Sequence, residues 1–192
     1  MKKFHPQLEI WLTVENWSGP NGTGRLLSRK RIKCHSYVGN IINILYEHFN
    51  FSATTSFKDT SGTLQTPSAG GVILANAAAA NDNYGVLVGT GTGANDVSAY
   101  ALGTKIANGT GAGQLQYGAV SITTPATVGQ KRQITVARVF TNNSGASITV
   151  NEVGLVVSYG GYYFLIERTL NTNTINNLAS ATWTYTISIT TS

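Results

Sequence analysis

One stretch decides the fold: Thr182-Trp183-Thr184-Tyr185-Thr186-Ile187-Ser188-Ile189-Thr190. It alternates strictly, with Trp183, Tyr185, Ile187 and Ile189 on one face and hydroxyl side chains on the other. A period of two residues is typical of a β-strand that buries one face. The same alternation occurs at residues 8–14, so we predict a strand there as well.

The rest of the second half of the chain also has the pattern of short strands joined by Gly- and Asn-rich turns. In residues 147–159 the apolar side chains change from one face of the predicted strand to the other near Asn151 and Glu152, and a β-bulge explains such a change. The sequence Tyr159-Gly160-Gly161-Tyr162 predicts a tight hairpin turn. The further strands are predicted at residues 85–90, 114–123, 133–141, 147–159 and 162–170.

A helical period occurs once in the sequence, after a basic segment. Counting from Ser36, which we predict as the N-cap, large apolar residues follow a helical spacing, with Asn40, Asn43, Glu47 and His48 on the opposite side. Such a helix packs either on a sheet of its own chain or on another subunit, and both alternatives stay open. The apolar stripe consists of Val38, Ile41, Ile42, Leu45, Tyr46 and Phe49.

These elements predict a mainly β protein: an antiparallel β-sandwich or jelly-roll-like domain with one N-terminal amphipathic helix and a long extended excursion. The excursion covers residues 50–83, where we expect one or two short strands, such as residues 72–74, and contact with a neighbouring subunit. Residues 1–83 form a region of strand, basic segment, helix and attachment segment. Residues 84–192 form the sandwich core, continuous with the first strand.

The composition excludes several classes of protein. Of the 192 residues, 42% are hydrophobic and 11% are charged, against about 25% charged in average domains. The hydrophobic fraction excludes charge-driven disorder, and no apolar run is long enough for a membrane helix. Cys34 is the single cysteine, so a disulfide scaffold within the chain is excluded. The first residues lack the apolar core of an export signal, which predicts synthesis in a reducing cytoplasm and no membrane association.

The net charge of +5 lies mainly in the first quarter of the chain. The run Arg29, Lys30, Arg31 and Lys33 is either a solvated segment before the helix or a patch that docks on an acidic partner. A phosphate-contacting arm is the third interpretation, and it is disfavoured because the run contains no interleaved aromatic residues. We predict that these four bases and the apolar stripe form the interaction residues.

The sequence offers little for catalysis. Cys34, His35 and His48 lack the spacing of a metal site or of an oriented nucleophile pair. The Gly-rich residues 89–93 and 109–113 lack the Gly-Lys-Ser/Thr of a phosphate loop, so we assign them to turns. Glu152 lies in an apolar strand pattern, and we expect it to pair with Arg138 or Arg168 for structural reasons. We therefore predict no enzyme, and no catalytic, cofactor-binding or metal-binding residues.

Several segments together resemble small structural proteins of tailed bacteriophages, found among virion, tail, neck and capsid-associated components. The first is Gly89-Thr90-Gly91-Thr92 with Ser98-Ala99-Tyr100-Ala101-Leu102, and the second is Arg138-Val139-Phe140-Thr141-Asn142-Asn143-Ser144-Gly145. The third is Ile148-Thr149-Val150-Asn151-Glu152-Val153-Gly154-Leu155 with Phe164-Leu165-Ile166-Glu167-Arg168. The segment Ser36-Tyr37-Val38-Gly39-Asn40 is similar to the N-terminal part of the same group.

The resemblance implies a virion component that assembles as a symmetric homo-oligomer and docks on other virion proteins. Few charges and many hydroxyl and amide side chains agree with such assembly, because subunit contacts then need little ion desolvation. The alternative is a module that binds a host-surface glycan through exposed aromatic residues at the predicted hairpin. The candidates for that role are Tyr159, Tyr162, Tyr163 and Trp183.

Overall fold

The computed structural model describes residues 8–34, 36–51, 55–68 and 70–190. Within these ranges the chain forms twelve β-strands and one α-helix, with a short 3-10 turn at Pro20–Gly22. None of the described helices is long and apolar enough to cross a bilayer. The elements are β1 (Leu8–Trp17), β2 (Leu26–Lys33), α1 (Asn40–Asn50), β3 (Phe57–Lys58), β4 (Leu64–Gln65), β5 (Gly85–Gly89), β6 (Gln116–Tyr117), β7 (Ser121–Ile122), β8 (Ala126–Val128), β9 (Lys131–Thr141), β10 (Ile148–Tyr159), β11 (Tyr162–Ile175) and β12 (Ser180–Thr190).

The larger sheet has seven antiparallel strands in the order β2-β1-β12-β9-β6, and β7 and β8 also pair with β9. β1 lies between β2 and β12, so the predicted first and last strands are neighbours in one sheet. The alternation places Leu12 and Val14 of β1 and Trp183 and Tyr185 of β12 in the interior, all of them fully or almost fully buried.

The smaller sheet has the order β11-β10-β5, again antiparallel. The pairing of β10 with β11 shifts register between Val150 and Glu152, which confirms the predicted bulge. Tyr159 pairs with Tyr162 across a two-residue turn, and both intervening glycines have positive φ, 58° at Gly160 and 88° at Gly161. The hairpin prediction is therefore confirmed.

Apolar residues of both sheets belong to one hydrophobic cluster. Leu12, Phe140 and Trp183 come from the larger sheet, and Val88 and Leu155 from the smaller one. A second cluster lies between α1 and the β10–β11 hairpin and contains Ile44, Phe57, Val157, Tyr159 and Phe164. The prediction of a mainly β protein with antiparallel sheets and one helix is confirmed for the described residues.

Several predicted boundaries are wrong. Residues 114–123 form two separate short strands, β6 and β7. Between them the Gly118 N–H still donates to the Val139 carbonyl of β9 (2.9 Å), but the Val120 N–H donates to the Ala77 carbonyl instead (2.8 Å). In residues 50–83 the strands are β3 and β4, whereas residues 72–74 contribute only a bridge from Leu74 to Ser158. At the end of β12 the predicted inner and outer faces are also wrong, since Ile189 is 52% exposed and Ser188 is buried.

Candidate functional site

Helix α1 begins later than predicted and turns a different face inward. It begins at Asn40 after Gly39, which makes no side-chain cap, so the prediction of Ser36 as N-cap is wrong. Asn40 and Glu47 were predicted on the solvent side, yet both are buried with Ile44. The Asn40 amide donates to the carbonyl of Lys58 (3.0 Å), which fixes the first turn against β3. A short polar side chain is buried here because a backbone acceptor is available to it.

The connection into α1 is tied to the smaller sheet and to a loop. The Val38 N–H donates to the Ile166 carbonyl at 3.2 Å, and the Gly39 N–H donates to the Val97 carbonyl at 2.7 Å. At the other end of the helix the His48 ring packs on Tyr159, with 5.0 Å between ring centroids. Burial and the neighbouring Glu47 carboxyl raise the pKa of Tyr159. In the described part of the chain, the contacts that hold the helix lie on its inner side.

The outer side of α1 carries most of the predicted apolar stripe. Ile42 is 65% exposed and Phe49 is 86% exposed, whereas Val38 is buried beneath the helix start. Apart from Val38, the stripe therefore covers no sheet among the described residues of its own chain. It borders a groove of about 320 Å³, here called the α1 groove, whose wall is almost entirely apolar. The groove is lined by Leu8, Tyr37, Val38, Gly39, Ile41, Ile42, Leu45 and Val97, and Tyr46 and Phe49 continue its apolar surface along the helix.

The basic segment is an edge strand, which the sequence analysis missed. β2 pairs with β1 on one side and ends the order of the larger sheet on the other. Arg29 forms an ion pair with Glu15 at 2.5 Å, although its side chain is 64% exposed. The Arg31 guanidinium lies 4.4 Å from the centre of the Trp11 ring, a cation–π contact. Among the described residues, Lys30 forms no ion pair.

Glu9 joins the basic strand to β9. It accepts hydrogen bonds from Lys131 (2.9 Å) and from Lys33 (3.0 Å), so two cations share one carboxylate. These bonds, with a third from Trp11, lower the pKa of Glu9 to about 2. The carboxylate therefore stays ionised at any physiological pH. It neutralises only part of the positive charge of β2 and Lys131.

Arg168 is the arginine in contact with Glu152. The two side chains are almost completely buried, and the Arg168 Nε donates to Glu152 Oε2 at 2.6 Å. The carboxylate also accepts the backbone N–H groups of Gly91, Gly103 and Thr104 at 2.9 to 3.1 Å. Burial raises the pKa of Glu152, but these N–H donors and the guanidinium outweigh burial, and the pKa is lowered. The pair holds the loop between Gly91 and Thr104 on the smaller sheet.

Arg138 does not contact Glu152, so that alternative for the ion pair is wrong. All of its side-chain N–H groups instead donate to main-chain carbonyls at 2.6 to 3.2 Å. Burial lowers the pKa of Arg138 to about 10, and the side chain also packs over the Tyr117 ring at 4.7 Å. Because every N–H of this guanidinium has an acceptor, the side chain joins the loop before β5 and the segment between β6 and β7 to β9 and β5. The five acceptors belong to Ala78, Asn81, Tyr84, Val86 and Gly118.

A buried polar cluster lies where β2 leads toward α1, and the sequence analysis did not find it. Glu167 is 1% exposed and accepts a hydrogen bond from the Thr169 hydroxyl at 2.5 Å, with the Cys34 thiol and the Tyr185 hydroxyl beside it. Burial raises the pKa of Glu167 to about 7 and that of Cys34 to about 12. The positions of Glu167 and Tyr185 in their predicted strands indicate on which face each side chain lies. They do not reveal that both side chains contact Cys34.

The histidines and the cysteine do not form a shared site among the described residues. Cys34 is buried and carries a raised pKa, which makes it a poor nucleophile. His48 packs on Tyr159, and His35 lies outside the described residues. Within the described part of the chain, no group of three or more His, Cys, Asp or Glu side chains is arranged to hold a metal ion.

Two of the aromatic residues predicted to be exposed are in the interior. Tyr159 and Trp183 are both 0% exposed, which removes them from any surface platform. Tyr162 is 37% exposed, and Tyr163 stacks on Tyr84 with 5.8 Å between ring centroids. Of the four predicted aromatic residues, Tyr162 and Tyr163 are therefore the two near the surface.

Comparison of the chain with protein-family models, with curated proteins and with solved structures gives no match.

Proposed function

We propose that the chain is a structural component of a tailed-phage virion, in the tail, neck or capsid-associated part of the particle. In this proposal it assembles as a symmetric homo-oligomer and docks on other virion proteins without catalysing a reaction. The observation that carries the proposal is the apolar outer face of α1, which the described chain leaves open.

The extent of this face supports an interface. Its large apolar side chains are 40% to 86% exposed, and four of the six line the α1 groove. Exposed apolar side chains that lie together in this way mark interaction sites. Burying one such side chain contributes roughly 1.5–3 kcal/mol. The residues are Leu8, Ile42, Leu45, Tyr46, Phe49 and Val97.

The finer description of the fold is part of the same proposal. We infer that the two sheets pack face to face as a jelly-roll-like sandwich, since their inner residues share one cluster. α1 is then an amphipathic N-terminal helix whose polar residues Asn40 and Glu47 point inward, where Asn40 donates to the Lys58 carbonyl and Glu47 lies beside Tyr159. Its apolar side points toward another subunit, which is the second of the two alternatives that the sequence left open.

A non-catalytic role agrees with how the buried ionisable groups are used. Main-chain groups of loops form hydrogen bonds with the side chains of Glu152, Arg168 and Arg138, and these bonds stabilise the fold. The resemblance of several segments to small phage structural proteins supports the location in a virion. The low fraction of charged residues, 11%, favours close packing of many copies with weak mutual repulsion.

The test is the mass of the purified full chain in solution, measured by light scattering over a range of concentrations. We expect one oligomer of fixed copy number, and the substitutions Ile42→Asn and Phe49→Ser shift it toward the monomer. The matched control is Leu178→Asn, because Leu178 is equally exposed (64%) and its φ of 64° suits Asn. A wild-type monomer at all concentrations, absent from particles, contradicts the proposal.

A second candidate function is recognition of a host-surface glycan at the β10–β11 hairpin. It is favoured by the exposed Tyr162 beside the turn and by the stacked pair Tyr163 and Tyr84. Aromatic faces at loop tips are a common feature of binding modules. Binding to a glycan array that is lost in Tyr162→Ala supports this function, and an array without signal contradicts it.

A further inference from the structure

On its outer edge, strand β2 has backbone N–H and C=O groups that do not bond to β1. The pairing of β2 with β1 shows which residues carry them. The Cys34 N–H donates to the Ile10 carbonyl at 2.9 Å, which makes these residues a hydrogen-bonded pair. Hydrogen-bonded pairs alternate along an antiparallel ladder, so Ile32 and Lys30 also face β1 through their backbone. The N–H and C=O groups of Arg29, Arg31 and Lys33 therefore point away from the sheet, and no described residue bonds to them.

The same three residues carry their side chains on one face. They pair with Glu15, Thr13 and Trp11 of β1, which lie on the solvent side of the larger sheet. Successive side chains on this face are two residues apart, or roughly 6.6–6.8 Å. At every second residue, the edge of β2 therefore presents a backbone N–H, a backbone C=O and a basic side chain.

The charge of this edge restricts what can pair with it. Two copies of β2 in antiparallel pairing set bases opposite bases, which is destabilising. Among the described residues, the acids of this surface are Glu9 and Glu15, and they already bind Lys33, Lys131 and Arg29. A polyanion such as nucleic acid matches the charge but cannot satisfy a row of alternating backbone donors and acceptors.

We infer that β2 is a strand-addition site for an extended acidic segment of a partner polypeptide. The segment adds as an antiparallel strand, with Asp or Glu at alternate positions opposite Arg29, Arg31 and Lys33. Main-chain hydrogen bonds then supply affinity, and the alternating carboxylates fix register and specificity. This surface is separate from the α1 face, so the inference does not depend on the virion role proposed above.

The probe is a short synthetic peptide in which Glu alternates with Thr or Val, and binding is measured on the full chain by fluorescence anisotropy. Backbone hydrogen exchange is followed by NMR in the same complex. We expect the N–H groups of Arg29, Arg31 and Lys33 to gain protection on binding. Those of Lys30 and Ile32 already bond to β1, so their exchange changes little.

The double substitution Arg29→Ala with Arg31→Ala is expected to weaken peptide binding by about tenfold, since two exposed ion pairs are lost. Both side chains are exposed, so the fold tolerates the change. Arg132→Ala is the matched control, because Arg132 is an exposed base at the far side of the same sheet.

Three results overturn the inference. The alternating peptide fails to bind, in which case the bases serve only to block edge-to-edge pairing. It binds without protecting the three backbone N–H groups. Or a peptide of the same composition with clustered glutamates, or a single-stranded oligothymidine, binds equally well, which identifies a general polyanion surface.

Discussion

Replacing Glu152 by Ala tests whether the buried ion pair is structural. The substitution removes four acceptor contacts and leaves the Arg168 guanidinium and the N–H groups of Gly91, Gly103 and Thr104 in the interior without this partner. Breaking a buried pair from one side costs about 3–5 kcal/mol, against a total stability of roughly 5–15 kcal/mol for a domain. We expect a loss of free energy of unfolding within that range.

Glu152→Gln is the more discriminating variant, because it keeps the shape and removes the charge. One of its terminal atoms becomes an N–H₂ donor that faces another donor, and we expect a loss of about 1–3 kcal/mol. The assay is urea denaturation followed by fluorescence, with Trp183 as the buried reporter. Glu15→Gln, whose partner Arg29 is exposed, is the control and changes stability by about 0–1 kcal/mol. If Glu152→Ala and Glu152→Gln both unfold at the same urea concentration as the wild type, the structural role of Glu152 is refuted.

Three further predictions follow from buried or constrained positions. Burial raises the pKa of Glu167 to about 7 from 4.5, so the folded chain binds this proton more tightly; stability from this group is complete below pH 4.5 and falls by up to about 3 kcal/mol as pH rises through 7. Glu167→Gln removes this decrease, and urea unfolding at pH 5 and pH 8 contradicts the reasoning if both proteins respond to pH alike. Arg138→Lys retains the charge but supplies only three donors for five carbonyls, so we expect a loss of about 2–4 kcal/mol in the same assay, and a loss below 1 kcal/mol opposes it. Gly160→Ala lowers the melting temperature more than Gly161→Ala, because a Cβ at Gly160 lies 2.8 Å from Pro67 whereas one at Gly161 meets nothing within 4 Å; equal shifts contradict this difference.

Strands with one buried face could be predicted from the sequence, because burial imposes a period of two. The bulge at Asn151 also follows from sequence, since the parity of apolar residues must change where the register shifts. β2 could not be predicted in this way. It pairs on one side only and its residues up to Arg31 are exposed on both faces, so no apolar period marks it.

The helix shows the limit of an apolar stripe as a guide to burial. The stripe of Ile42, Leu45 and Phe49 predicts the helix correctly but not the direction in which it faces. The inner face consists of Asn40, Ile44 and Glu47. Asn40 is held there by its bond to the Lys58 carbonyl, and Glu47 is buried beside Tyr159. Sequence periodicity carries no information on whether an apolar face meets its own chain or another.

The candidate interaction residues are only partly accessible to sequence reasoning. The basic run and the stripe were found as residue types, but their roles depend on pairing. Arg168 and Arg138 are equivalent in the sequence pattern, and only the bulge and the loop after β5 decide that Arg168 meets Glu152. The buried contact of Glu167 with Cys34 joins residues more than 130 positions apart, and no local pattern encodes it.

The most direct test of the central claim is an electron cryomicroscopy map of the purified chain in its assembled form. We expect several copies related by rotational symmetry, with Ile42 and Phe49 of each copy buried against a neighbour. A map, or a mass, that shows a single copy with the outer face of α1 in solvent contradicts it.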